Sequence, residues 1–366
     1  MIHHKGVGLY DKTRGLLKCV TLVAPALAPE DEKIVAVFSS FCFNGDSLIA
    51  HNDIIAVSVP LKTSFRGIVP GHLLYRFTKS CSGTEVDLVL EKGGEELTVK
   101  CGAARLRVPV IEVKEYPFEF PKLHGDPICE VNEYFFEGLD LCSKIVADKG
   151  LTSWMGGILF AFTGDLHLYS FGPSRDAICV YKLAGLGFKD VVKKKQIILP
   201  VSFCKTALEM YRKVGCEGAK LCVQNNYATL YFGDNGAVFG KTITSERQPD
   251  AVEKVRGYLK EAKEMVPIQS TFRNALKRAA AVATDEELCS IAIVRGKLHM
   301  RTEVRGGSLK DFVALKEKHQ DVDVLVNPKL LTRMLDCCTS MQITDNMMIF
   351  RDGKKFTYIT ANKQKQ

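Results

Sequence analysis

The chain has 366 residues, 46% hydrophobic and 25% charged, and its 50 Lys and Arg against 42 Asp and Glu give a formal net charge of +8. Mean hydropathy of +0.01 and the lack of any apolar run near the roughly 18 residues of a membrane span point to an ordinary globular protein of two or three domains, with no membrane partner. The mild basic excess fits a polyanionic partner without specifying one.

The first predicted helix covers 11–23 and carries Arg14 and Lys18 one turn apart. The apolar run from Cys19 to Ala28 follows four basic residues and loosely imitates a secretion signal, but Pro25 interrupts it and it fits the first helix equally well. Gly45-Asp46-Ser47-Leu48 opens a strand, and Ile68-Val69-Pro70 feeds a helix over 71–79 that bears Arg76 and Lys79. Alternation over Glu85-Val86-Asp87-Leu88-Val89-Leu90 predicts a strand, and Lys100-Cys101-Gly102 a hairpin. Tyr116-Pro117-Phe118-Glu119-Phe120-Pro121 reads as a join between modules.

The same order returns twice. A helix over 132–147 precedes the strand signal Gly164-Asp165-Leu166-His167-Leu168. Ile198-Leu199-Pro200 then introduces a helix over 202–214 with Lys205, Arg212 and Lys213. Strands at 219–223 and 228–232 and the hairpin signal Gly233-Asp234-Asn235-Gly236 follow, then a second join at Arg247-Gln248-Pro249-Asp250. In the third copy, Phe272, Ala275, Leu276, Ala279 and Ala283 make one apolar face of a helix over 270–283, with Arg273 and Lys277 outside it. Gly296-Lys297-Leu298-His299-Met300, Val326-Asn327-Pro328, a helix over 329–337 with Lys329 and Arg333, Arg351-Asp352-Gly353 and a strand at 356–359 complete it. A proline before or at the first turn suits a helix start, because its missing N–H has no partner to lose there.

Three α+β modules are therefore expected, 1–123, 124–266 and 267–366, each with two helices on antiparallel sheet. A period this long lets each copy bury its own core, unlike a solenoid repeat. Like charges one turn apart cost a helix roughly 0.2–0.5 kcal/mol per pair, and the recurrence of such pairs points to helix faces that meet an anion. The helix over 132–147 is the exception, since Asp140 and Asp148 flank Lys144. A diffuse basic surface without a recognition-helix, RNP-type or zinc-finger motif suits a nucleic-acid backbone bound regardless of sequence.

The thirteen cysteines are scattered, with no CxxC, so a reducing, cytoplasmic setting is expected. No Walker loop, dinucleotide fingerprint, HExxH or GxSxG motif is present, and the histidines lack ligand spacing. No catalytic residue, cofactor or metal is expected, and the chain reads as a non-enzyme. A three-module scaffold with merely solvated basic faces remains the alternative.

Leu106-Arg107-Val108-Pro109 through the 116–121 join, Ile198-Leu199-Pro200 and residues 225–250 resemble the bacterial-type DNA polymerase sliding clamp, the beta subunit that confers processivity, in a divergent form of the kind a phage encodes. The resemblance covers the whole chain. It implies three clamp modules forming half of a ring, a head-to-tail homodimer around double-stranded DNA, a DNA polymerase held on its template, and a separate clamp loader. It also implies DNA contacts at Lys149 and Trp154 beside the basic helices, and a dimer contact of Leu106 and Val108 with Ala281 and Val282. It further implies an apolar partner-peptide pocket at Met155, Phe171, Pro173, Arg175, Pro249, Ile359, Thr360 and Ala361. The polar, basic tail at 362–366 and Asp176 and Lys254 depart from the family pattern there.

Overall fold

The computed structural model describes residues 14–30, 36–81, 85–116, 127–146, 154–172, 177–192, 195–224, 226–243, 248–261, 265–284, 287–314, 322–344, 347–353 and 355–361. One order of elements recurs three times: a helix, four strands, a helix, three strands. The first copy is α1 (Arg14–Val23), β1 (Ser40–Phe43), β2 (Ser47–His51), β3 (Ile55–Pro60), β4 (Gly67–Pro70), α2 (Gly71–Ser80), β5 (Val86–Leu90), β6 (Glu96–Cys101) and β7 (Ala104–Pro109). A short β8 (Cys129–Glu130) precedes the second: α3 (Glu133–Ser143), β9 (Gly157–Thr163), β10 (Asp165–Phe171), β11 (Ala177–Leu183), β12 (Gln196–Pro200), α4 (Val201–Val214), β13 (Ala219–Gln224), β14 (Tyr227–Phe232) and β15 (Ala237–Lys241).

An additional helix, α5 (Gln248–Glu261), and a short β16 (Val266–Pro267) come next. The third copy is α6 (Ser270–Val282), β17 (Cys289–Val294), β18 (Lys297–Val304), β19 (Gly307–Ala314), β20 (Val322–Val326), α7 (Pro328–Leu335), β21 (Ser340–Thr344), β22 (Met347–Asp352) and β23 (Phe356–Ala361).

The repeated sequence signals occupy repeated structural positions. Gly45, Gly164 and Gly296 sit at the three equivalent turns between the first two strands of each copy, all with positive φ (98°, 75° and 73°), where a side chain would be strained. Pro70 and Pro200 end the fourth strands immediately before α2 and α4, and Pro328 is the first residue of α7. Asn327 caps α7 by accepting the Leu330 N–H at 2.9 Å.

The chain divides into two compact units, 1–133 with 202–242 and 134–201 with 243–366. Each contains an eight-stranded sheet assembled from two copies. In the first unit the order is β4-β1-β2-β3-β15-β14-β13-β8; in the second it is β12-β9-β10-β11-β23-β22-β21-β16. The two halves of each sheet meet through third strands: β3 pairs antiparallel with β15 (Val57 opposite Val238) and β11 with β23 (Ile178 opposite Ile359). The first copy's three-stranded sheet β5-β6-β7 and the third copy's four-stranded sheet β19-β18-β17-β20 have no such join among the described strands.

The second unit's large sheet is covered on both faces, which explains strands such as β9 that are apolar at nearly every position. On one face α3 approaches so closely that a Cβ on Gly138 would stand 2.6 Å from the Tyr181 ring and 2.9 Å from Leu168. On the other, Val252 and Val255 of α5 pack into a cluster with Leu159, Tyr169, Phe171, Ile178, Val180 and Ile359. The sequence marks a join at Arg247-Gln248-Pro249-Asp250, where α5 begins; the helix forms because its few apolar residues recur on the side facing this sheet. Predicted helix ends also shift: of 132–147, Glu133–Ser143 is helical, residues 132 and 144–146 are not, and 147 lies outside the described residues; 329–337 becomes Pro328–Leu335.

Candidate nucleic-acid interface and partner cleft

In the first unit, α2 buries Gly71, Leu74 and Thr78 and leaves Arg76 and Lys79 exposed, so the amphipathic period itself turns the cations outward. Arg76 reaches Glu30 at 2.6 Å, an exposed pair of little energetic weight, and the Lys79 ammonium lies 5.7 Å from the Tyr75 ring centre. On α1, Lys18 is exposed, and only the backbone of Arg14 is described. On α4, Arg212 is exposed and Lys205 half-buried. Lys213 is exposed as well, but its Nζ donates to the Thr21 carbonyl of α1 at 3.1 Å and so joins two helices, and partial desolvation lowers its pKa. That carbonyl belongs to the last turn of α1, where a cation complements the helix dipole.

In the second unit, α6 buries Phe272, Ala275, Leu276 and Ala279, with Phe272 stacked on Phe350 of β22. Lys277 is exposed on the opposite side. Arg273, its partner in the sequence pattern, is half-buried, and its guanidinium donates to the carbonyls of Leu335 and Cys338 at the end of α7. Periodicity places Arg273 on the helix but carries no information about that acceptor, 62 residues on. On α7, Arg333 is exposed and Lys329 half-buried. The outer side of α3 is acidic, with Asp140 held by Lys144 at 2.8 Å and Glu137 accepting from Tyr181 at 2.9 Å and pairing with Lys355. Lys149 lies outside the described residues, as does the Trp154 side chain.

The residues assigned to a partner pocket fall in the second unit. Phe171, Ile178, Ile359 and Ile349 are cross-strand partners on β10, β11, β23 and β22, so the pleat puts all four side chains on one face. Met155 packs against the same cluster. Thr360 is buried on β23, Pro249 lies in the first turn of α5 and Ala361 ends β23, the side chains of the last two being undescribed. Pro173 and Arg175 lie outside the described residues. The sequence reading missed Val252 and Val255, each 1% exposed, which cover this face. Their i, i+3 spacing is the signal that could have found them.

The four residues assigned to a dimer contact lie at free margins. β7 is an edge strand on which Val108 is buried, Leu106 half-buried, and Arg105 and Arg107 exposed. Ala281 and Val282 are exposed at the end of α6. β19, also an edge strand, is tied to α6 by Arg278 and Asp311 at 2.6 Å.

Among the described residues no group of three or more His, Cys, Asp and Glu is placed to hold a metal ion, and no helix is long and apolar enough to cross a membrane. Buried thiols such as Cys42 and Cys19 are pushed up to about 11 by burial, the reverse of an activated nucleophile.

These sheets and helices make the fold of the bacterial DNA polymerase III beta sliding clamps. A solved DNA polymerase III beta subunit from Thermotoga maritima superimposes with a TM-score of 0.78 at 15% identity, covering 97% of this chain and 98% of that one. The DNA polymerase sliding clamp from Caulobacter crescentus gives 0.78 at 14%, over 97% and 98%. The beta subunit from Pseudomonas aeruginosa gives 0.75 at 13%, over 96% and 99%. No protein-family model matches the chain.

Proposed function

We propose that the protein is a DNA polymerase processivity factor: a sliding clamp with no catalytic activity of its own, built from the modules 1–123, 124–266 and 267–366. The observation that carries the reading is the incomplete joining of the repeat. Twice within the chain, the third strand of a four-strand set pairs with the third strand of the next copy's three-strand set, as β3 with β15 and β11 with β23. The two strands left over by that rule are β19 and β7, each with an open edge among the described strands. A second copy supplies both missing pairings at once, and a head-to-tail homodimer then closes into a ring of six modules.

The side chains suit that pairing. Leu106 and Val108 face inward on β7 and would meet the inward row Leu309, Asp311 and Val313 of β19, with Ala281 and Val282 alongside. Outward, Arg105 and Arg107 would lie beside Phe312, which is 72% exposed, a suitable ring for a guanidinium. Within the ring, Lys18, Arg76, Lys79, Lys205, Arg212, Lys277, Lys329 and Arg333 would meet phosphates, with Arg14, Lys149 and Trp154 as further contacts; Lys213 and Arg273 would act chiefly by positioning helices. Neutralising phosphates without reading bases holds duplex DNA and lets it slide. A polymerase anchored by a peptide at Met155, Phe171, Pro173, Arg175, Pro249, Ile359, Thr360 and Ala361 would then stay on its template, and a separate ATP-driven loader would open the ring in the cytoplasm.

Light scattering tests the ring. A particle of twice the 40.6 kDa chain mass that persists on dilution, and that Leu106→Asp converts to a monomer with unchanged circular dichroism, is the expected result. A monomer at all concentrations, or a dimer indifferent to Leu106→Asp, would remove the edge-pairing argument.

A further inference from the structure

The first unit's large sheet repeats, in register, the face assigned to partner peptides in the second. In the second unit Phe171 of β10 lies opposite Ile178 of β11, which lies opposite Ile359 of β23. In the first, His51 of β2 lies opposite Ala56 of β3, which lies opposite Phe239 of β15. Two residues further on, Lys241 takes the place of Ala361, and their cross-strand partners are Tyr227 and Met347. The pleat therefore gathers His51, Ala56, Phe239, Lys241 and Tyr227 on one face of the first unit.

The two faces differ in cover and in side-chain size. In the second unit α5 packs over the face. In the first, the described segment after β7 packs Val113 and Tyr116 to one side, against Cys42, Ile49 and Ile68. With Ala56 in the place of Ile178, the corner where β3 meets β15 holds a cavity of about 140 Å³, which Asp53 also lines. Its floor is fixed: Ala56 is 1% and Phe239 5% exposed. The His51 ring is held by the Asp53 N–H, which donates to Nε2 at 3.1 Å, and by a T-shaped contact with Phe38. Its rim is exposed at Tyr227, Lys241 and Asp53.

The volume selects the occupant. Cofactor-sized ligands take pockets of roughly 300 Å³ or more, whereas an apolar cavity of about 150 Å³ takes one benzene ring. Aromatic side chains seated in such pockets are the usual anchors of a protein contact. Lys241 favours an acidic residue on the β15 side of the anchor, and Asp53 a basic one on the side of the β2–β3 turn. We propose that this corner of the first unit is a second peptide-docking pocket, which takes one phenylalanine-sized side chain of a partner, flanked by an acidic residue toward Lys241 and a basic one toward Asp53. The inference rests on the clamp reading for treating this register position as a peptide site, and goes beyond it in adding a site of different specificity. The second unit's face is broad and aliphatic, and this one is small with a charged rim, so a peptide suited to one fits the other poorly.

The test uses dye-labelled synthetic peptides with one phenylalanine between an aspartate and a lysine, made in both orders and titrated into the full chain by fluorescence anisotropy. Saturable binding of one order is expected. Ala56→Leu, which fills the cavity, should weaken it by about tenfold, the loss of one anchor. Lys241→Glu should weaken it by about threefold, and exchanging the peptide's aspartate for lysine should restore that loss. Should Ala56→Leu fail to fold, Tyr227→Ala removes an exposed wall of the same cavity and the same titration decides. No saturable binding of either order, or binding indifferent to both Ala56→Leu and Lys241→Glu, overturns the proposal. So does binding that is lost only on Met155→Glu, which would place the peptide on the second unit. Equal affinity for N-acetylphenylalanine amide would make the cavity a small-molecule site and overturn it as well. DNA retention by the full chain is scored separately. Peptide binding without retention would discard the clamp reading and leave the pocket standing, whereas retention without peptide binding would do the reverse.

Discussion

Replacing Arg273 with alanine separates a structural cation from a phosphate-binding one. Its guanidinium donates to two carbonyls, of Leu335 and Cys338, where α7 ends and its last C=O groups have no helical partner. Hydrogen bonds from a charged donor contribute about 1.5–3 kcal/mol each; because the side chain is only half-buried, we take the low end and expect Arg273→Ala to cost about 2–3 kcal/mol. In a unit of this size each kcal/mol shifts the melting point by about 2–4 °C, so scanning calorimetry should show a drop of about 4–12 °C. Arg273→Lys should recover little, since an ammonium cannot fork to both acceptors. Lys277→Ala, one turn on and exposed, should leave the melting point within about 1 °C. It should instead reduce the salt slope of duplex binding by about 0.9 per lost phosphate contact, hence about 2 per dimer. An Arg273→Ala protein with an unchanged melting point and a flattened salt slope would refute the assignment of its fork to α7.

Three further outcomes follow from named positions. Burial lowers the His51 pKa to about 4 from an ordinary 6.5; the unfolded chain then binds the extra proton first, so stability is full above pH 6.5 and falls as pH drops toward 4. Urea unfolding should show up to about 2 kcal/mol less stability at pH 5 than at pH 7.5 from this group, and His51→Gln should flatten that difference; an unchanged pH profile would count against the burial. Gly236 has φ of +118°, and an added Cβ would lie 2.2 Å from the Ser58 carbonyl oxygen, so Gly236→Ala should cost about 2–4 kcal/mol in urea melts. Gly257 in α5 has nothing within 4 Å of such an atom, and Gly257→Ala should stabilise that helix by about 0.5–1 kcal/mol, seen as slower amide exchange over 248–261.

Much of the fold is legible because its signals are local. A glycine at each of three equivalent turns, a proline before or at the start of each second helix, and the apolar face of α6 are all properties of a few adjacent residues. The outward cations of α2 follow from the same periodicity. What the sequence conceals is long-range. Nothing near Val57 says that its strand will pair with Val238, and nothing near Arg273 names the carbonyls of Leu335 and Cys338. The helix α5 lies between these cases. Its proline reads as a join, and its two buried valines are too few to mark a helix until the sheet they pack on is in view. Nothing near Phe171 or Ile359 says that Val252 and Val255 will pack into the same cluster.

The most direct test of the clamp reading is retention on DNA by topology. Protein dissociated in mild urea is returned to native buffer in the presence of a nicked circular plasmid, separated by gel filtration at a salt concentration that abolishes simple phosphate binding, and the plasmid is then cut once. The account predicts co-elution with the circle and release when the circle becomes linear. Equal retention on circle and line, or loss from the circle by a protein that remains a closed dimer, would contradict it.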